Sequence, residues 1–376
     1  MRNNILTLLV VALATISCDH RSATTFLSAQ DFDTTVNGQQ IALYNLTNSN
    51  GMTAQITNYG GRVAALWVPD RKGELRDVVL GFGTVAEYLS DKAGNHGAVV
   101  GRFANRIDDR KFTLDGTEYL LAGNPDAQIA PGGITDFNRA LFVPRPFTNE
   151  KGEQALELKY RSPDGEAGFP GNVDVTVVYT LTEDNALRID YTATTDKPTV
   201  VSLTNHCFFN LRGGADDVLG YDLEIDADYY LPVKAGNVPT GEIASVTGTP
   251  MDFRAPRKIG ARIDDDFEPL TIGEGYDHCY VLNIDNGALT PVATVTDSVS
   301  GIVLEVATDQ PGMQLYTGNK LNGLPGKRGQ VYGKRGGLCL ETMHFPDSPN
   351  HDNFPSPVLR PGETYRQSCI YRFGTV

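Results

Sequence analysis

Val173-Asp174-Val175-Thr176-Val177-Val178-Tyr179-Thr180-Leu181 runs through Glu183-Asp184-Asn185 into Leu187-Arg188-Ile189-Asp190-Tyr191-Thr192. In the second arm, Leu187, Ile189 and Tyr191 alternate with Arg188, Asp190 and Thr192. That period of two is the signature of a half-buried strand, because successive side chains point to opposite faces. Glu183-Asp184-Asn185 supplies the turn, so the two arms read as a hairpin. A second hairpin is written as Lys111-Phe112-Thr113-Leu114, Asp115-Gly116, Thr117-Glu118-Tyr119-Leu120, where Asp-Gly favours a tight two-residue turn. Further strands are expected at 52–58, 62–68, 154–160, 222–226, 278–283, 291–296, 302–308 and 313–316. Few stretches show a 3.6-residue apolar period, and Val85 to Ser90 is at best a short helix.

The bulk of the chain agrees with an all-β reading. Its 376 residues include 39 Gly and 21 Pro, suited to strands joined by turns. After residue 35 no charge run, low-complexity linker or internal repeat divides it. One large antiparallel β-sandwich over 36–376 is therefore expected, with its site on loops or a concave face. The net charge is −14 and no Lys/Arg-rich cluster stands out. That argues against nucleic acid and against general attraction to an acidic membrane surface.

The first 18 residues read as a targeting segment. Met1-Arg2-Asn3-Asn4 is a short basic head, and Ile5 to Ile16 is almost wholly apolar but too short to span a bilayer. Ala14-Thr15-Ile16-Ser17-Cys18 resembles a bacterial lipoprotein cleavage site. It implies lipidation at Cys18, membrane attachment there and an extracytoplasmic address, periplasmic or at the cell surface. Ordinary secretion is the alternative. Residues 19–35 are expected to be a tether. Cys207, Cys279, Cys339 and Cys369 are scattered without a C-x-x-C pair, and read as buried free thiols rather than a disulfide framework.

The chemistry concentrates around Thr204-Asn205-His206-Cys207-Phe208-Phe209-Asn210-Leu211. Histidine exchanges protons near neutral pH, and His206 lies among aromatic, amide and small residues. It reads either as a general acid or as a satisfied core histidine.

Five segments decide between them. Gly101-Arg102-Phe103-Ala104-Asn105-Arg106-Ile107 resembles the GRxANRI signature of the aldose 1-epimerases, the galactose mutarotases. Asn205 to Leu211 resembles their NHxYFNL. Thr249-Pro250-Met251-Asp252-Phe253-Arg254 is similar to a stretch taken to hold their substrate-binding Asp. Gln310 to Asn319 resembles QPGxQxYTGN, and Cys339-Leu340-Glu341-Thr342 with Phe345-Pro346-Asp347 resembles LETQxxPD. Smaller echoes occur at Gly168-Phe169-Pro170-Gly171 and Tyr276-Asp277-His278. The order is the family's, from about residue 36 to the C-terminus.

The resemblance implies the family's large galactose mutarotase-like β-sandwich and the interconversion of α and β anomers of aldohexoses. That reaction takes a proton from the anomeric hydroxyl and delivers one to the ring oxygen; the ring opens, rotates and recloses. A carboxylate and an imidazole suffice, with no cofactor required. By resemblance Glu341 is the general base and His206 the general acid. Asn105 and Arg106 hold sugar hydroxyls, Asp252 binds the distal hydroxyls, Gln314 contacts the anomeric end, and Phe208 offers an apolar face. His278 is read as structural, and Arg102 as a residue that could simply pair with the chain's many acids, Arg106 being the better site candidate. A monomer is adequate. Calcium is the one metal left open, at Asp264-Asp265-Asp266 or Asp216-Asp217.

The chain also departs from the family. Pro131 stands where a substrate-contacting His is expected, and proline offers neither a ring nitrogen nor a backbone donor. Met343 replaces a Gln, and Phe208 replaces a Tyr. His96 and His344 are the imidazoles available to compensate. These departures touch binding rather than proton transfer. They keep open a noncatalytic carbohydrate-binding paralogue on the same fold. A phosphosugar epimerase is disfavoured by the absence of an added basic cluster.

Overall fold

The computed structural model describes residues 25–90, 93–122, 136–214, 216–285 and 287–376. The leader, Cys18 and Pro131 lie outside the described residues.

The hairpin that opens the reading is present. Val173–Leu181 pairs antiparallel with Ala186–Thr195, and Leu187, Ile189 and Tyr191 are buried while Arg188 and Asp190 reach outward. This pair lies within a nine-stranded sheet that runs from Val143–Thr148 through Tyr365–Thr375 to Arg257–Lys258. The other strand expectations fall on observed strands, among them Thr53–Thr57, Arg62–Pro69 and Thr290–Thr296. The short helix is Val85–Tyr88, closed by a capping box between Thr84 and Glu87.

A five-stranded antiparallel sheet carries the 277, 312 and 339 strands, and a four-stranded sheet carries Leu43–Thr47 to Leu75–Asp77. The principal core is shared by all three. Val177, Tyr179 and Ile189 come from the nine-stranded sheet, Tyr280, Met313, Leu315 and Leu340 from the five-stranded one, and Ile56, Val63 and Leu66 from the four-stranded one. Each fully buried aliphatic chain contributes roughly 1.5–3 kcal/mol relative to exposure. One face of the five-stranded sheet is spent on this core, and its other face is left for chemistry.

The tether expectation is corrected over 25–35. Phe26 meets Trp67 edge to face, Leu27 exchanges two backbone hydrogen bonds with the Gln55 amide, and Phe32 is fully buried in a second core with Ile41 and Tyr88. Burial of Phe32, with the Phe26–Trp67 contact and the Leu27–Gln55 hydrogen bonds, orders a stretch whose polar composition suggests a loose leash.

Candidate active site

Three neighbouring strands build the floor of the site. Asp277–Val281 pairs with Gly312–Tyr316, which pairs with Cys339–Met343. The register aligns Asp277, Tyr316 and Cys339 in one row and Cys279, Gln314 and Glu341 in the next. Directly opposed residues share a face, and residues two apart on a strand share it too. These six side chains therefore project together, while His278, Leu315 and Leu340 project into the core. Gly312 keeps the next row open: a Cβ there would lie 2.9 Å from both Cys279 Sγ and the Phe345 ring.

His206 is delivered to this face by a second backbone pairing. Its N–H donates to Ala98 O, and its carbonyl accepts from Gly97 N, each at 2.9 Å. The ring then stands with Nε2 3.6 Å from Glu341 Oε1 and Nδ1 3.5 Å from Cys339 Sγ. Both partners are buried. Burial lowers the His206 pKa to about 4, since the charged imidazolium loses its hydration. Burial, helped by the negative charge of Asp277 and opposed by Arg106, raises Glu341 to about 8.

A polar network adjoins the pair. Arg106 Nη2 lies 3.2 Å from Asp277 Oδ2, and its Nη1 donates to Asn105 Oδ1 at 3.0 Å. Gln314 Nε2 donates to Asp277 Oδ1, and Asn237 Nδ2 to Asp277 Oδ2, both at 2.7 Å. Arg106 Nε and Asn237 Oδ1 are buried without a protein partner. Unpaired buried polar atoms are costly, and here they form part of a cluster rich in sugar-compatible donors and acceptors.

The structure thus brings together His206, Glu341, Asn105, Arg106 and Gln314. It does not bring Asp252. That carboxylate is 21% exposed and forms a two-pronged ion pair with Arg254, which also reaches Asp228. Asp277 occupies the place in the network that the sequence reading gave to Asp252. Phe208 is also corrected as an open apolar face. It is buried, stacked on His96 at 4.5 Å and tilted against His206 at 4.9 Å, so it backs the imidazole. His96 holds Ala93 O through Nδ1 and keeps a bare, buried Nε2. His344 packs near Tyr365 instead.

Arg102 binds Ser162, Pro163, Pro170 and Gly171 and serves the frame. His278 is fully buried and takes the Asp277 N–H on its Nδ1. Of the five acids considered for calcium, three pair with cations: Asp264 with Arg335, Asp265 with Arg262 and Asp216 with Arg212. Surface cavities lined by Glu224 to Thr294 and by Val36 to Arg161 share no residue with the His206–Glu341 cluster.

Fold and site together define a β-sandwich protein with a buried imidazole–carboxyl pair beside a sugar-compatible polar network. The chain belongs to the aldose 1-epimerase family, whose model matches residues 42–372. It is 43% identical to the galactose mutarotase of Mus musculus over 327 residues, 86% of this chain and 92% of that protein. It is 37% identical to the aldose 1-epimerase of Escherichia coli (strain K12) over 340 residues, 89% of this chain and 96% of that one. Its fold matches a solved aldose epimerase homologue from C. elegans with a TM-score of 0.80 and 30% identity, covering 89% of this chain and 99% of the other. A galactose 1-epimerase from Lactobacillus acidophilus NCFM superimposes with a TM-score of 0.78 and 26% identity, covering 91% and 97%.

Proposed function

We propose that this chain, an isomerase of the aldose 1-epimerase family, interconverts the α and β anomers of galactose- and glucose-type aldoses through His206 and Glu341. The observation that carries the residue assignment is the buried His206–Glu341 pair, 3.6 Å apart, beside Arg106 and Asp277. Ring opening needs one group to take the O1 proton and another to protonate the ring oxygen. Ring closure runs the transfers backwards on the other face, so each group plays both parts in one turnover. The pair therefore needs one proton in total, and either starting arrangement enters the same cycle. Glu341 as first base and His206 as first acid is the order the motifs imply.

Around them, Asn105, Arg106, Asp277 and Gln314 hold the hydroxyls. The Arg106–Asp277 pair is already desolvated, so its donors and acceptors are fixed before the sugar arrives. Polarimetry or NMR of freshly dissolved α-galactose and α-glucose tests the reading. The wild-type chain should accelerate equilibration well above buffer. Glu341→Gln and His206→Asn should each reduce kcat by roughly 10²–10⁴-fold, the usual worth of a positioned acid or base. Sugar binding with no acceleration across a panel of aldoses would instead identify a noncatalytic binding protein.

We place the mature chain outside the cytoplasm, anchored through Cys18 and working as a monomer. The basic head, apolar Ile5 to Ile16 and Cys18 support the address, and the family match begins only at residue 42. Cys18→Ser should move the protein from the membrane to the soluble fraction of a bacterial host, eluting at monomer mass on gel filtration. A wild-type chain found only in the cytosol removes the address.

A further inference from the structure

Cys339 lies on the site face beside His206 and Glu341, and the proposed sugar chemistry gives it no task. Its thiol is fully buried, 3.5 Å from His206 Nδ1, and two residues before Glu341 on the same strand face. We propose that Cys339, His206 and Glu341 form a three-ligand site for a soft divalent metal ion, zinc above all, whose occupation shuts off sugar chemistry at this centre.

The donor set is the first argument. Thiolate, imidazole and carboxylate are the three ligand types that zinc takes in proteins, and three protein ligands with one open position is a recurrent arrangement. The thiolate selects against magnesium and calcium, which prefer oxygen. Spacing is the second. Zn–S and Zn–N bonds of about 2.3 and 2.0–2.1 Å at a tetrahedral angle place the two ligand atoms roughly 3.5 Å apart. That is the Sγ–Nδ1 separation already present. One ligand atom from each of the three residues lies within 4.8 Å of the others, and among the described residues no other such trio occurs. The carboxylate, whose Oε1 now faces Nε2 at 3.6 Å, has to swing toward the Nδ1 edge of the ring to complete the tripod, which is a Glu rotamer change.

Coordination would displace the thiol proton, and any carboxyl proton, to solvent. No carbon bond changes and no redox partner is needed. The inhibitory consequence rests on the role proposed above for His206 and Glu341: a metal holding both withdraws the acid and the base together. The binding site itself stands independently of that role.

The test separates the two. Metal-free full-length protein is titrated with Co²⁺, whose bond to a thiolate gives a charge-transfer band in the near ultraviolet. The wild-type protein should show the band. Cys339→Ser and Cys339→Ala should lose it, whereas Cys18→Ser and Cys369→Ser should keep it. Glu341→Gln, which leaves the thiol in place, should weaken cobalt binding, so the conclusion does not hang on the folding of a cysteine variant. Zinc should inhibit mutarotation of α-galactose in competition with sugar. Measured against each protein's own metal-free rate, Cys339→Ser should need at least the 10–100-fold more zinc that loss of even an outer partner costs a metal site. Absence of a band in the wild type, or a band undiminished in both Cys339 variants, overturns the proposal. A normal cobalt band in a protein inactive on every aldose would preserve the site and overturn the assigned sugar chemistry.

Discussion

Burial acts on His206 and Glu341 with one physical cause and opposite signs. It penalises whichever form carries charge, so it lowers the imidazole to about 4 and raises the carboxyl to about 8. Between those values the pair carries one proton, held mainly by Glu341 at rest, so the order the motifs imply runs through the minor arrangement with the proton on His206. Below about 4 the pair holds two protons and has no base; above about 8 it holds none and has no acid. The values belong to the pair, since neighbouring groups titrate together. For aldose mutarotation, kcat/KM should therefore form a broad plateau between about pH 4 and pH 8, with limbs falling on both sides. Stopped-flow polarimetry, corrected for the buffer-catalysed rate, measures it. A profile centred instead on the ordinary histidine value near 6.5 would mean that the imidazole is not desolvated during turnover. The structure brings the His206 and Glu341 side chains together. That they belong to one site was legible in the sequence, since each sits in a motif of the same resemblance. Their protonation was not, because it depends on strands far away in the chain that exclude water.

At the scale of the strand, register decides which acid joins the polar network beside His206 and Glu341. Asp277 and His278 are adjacent in the chain, and a period of two sends one to the site and the other to the core. Nothing in the local text says which goes where. Pairing with Tyr316 and Leu315, then with Cys339 and Leu340, settles it. The hairpins and the strand that carries Gln314 were readable from alternation and turn signals, whereas the Cys339–Met343 strand that carries Glu341 was not. For Asp252, a motif-like neighbourhood does not reveal that Arg254 captures its carboxylate. The two acids should part cleanly on mutation. Asp277→Asn removes a charge-assisted partner of Arg106, a contact type worth about 1.5–3 kcal/mol, so kcat/KM should fall roughly 10- to 150-fold. Breaking that buried ion pair should also lower Tm. Asp252→Asn, on a part-exposed ion pair, should leave kcat/KM within about threefold and Tm nearly unchanged. Steady-state kinetics and thermal melts on both variants check the contrast, and a larger kinetic loss for Asp252→Asn would restore the original assignment.

Across the whole molecule, the site depends on a clamp between distant parts of the chain. Lys327 is fully buried. Its Nζ donates to Ala64 O at 2.7 Å and Val79 O at 2.8 Å and pairs with Asp77 Oδ2 at 2.7 Å. Asp77 also accepts the Leu66 N–H and binds Arg328. The segment around Lys327 is thereby pinned to the four-stranded sheet. Nearby, Tyr332 and Leu321 pack with Phe208, Tyr316 and Cys339, the layer behind His206. Desolvation pushes the Lys327 pKa down while Asp77 opposes it, so the ammonium depends on its three acceptors. Nothing in the sequence distinguishes this lysine from a surface one, because burial of a charge is visible only once all three acceptors converge. Lys327→Met keeps the volume and removes the charge. It leaves two carbonyls without this donor and Asp77 with Arg328 as its one cationic partner, a loss expected to cost about 3–5 kcal/mol. Thermal and urea denaturation should show a clear drop in stability. Far below the transition, kcat/KM should change less than the stability does, because the clamp touches no sugar and acts only through the layer behind the imidazole. A Lys327→Met protein as stable as the wild type would mean that the carbonyls find other donors and that the clamp is dispensable.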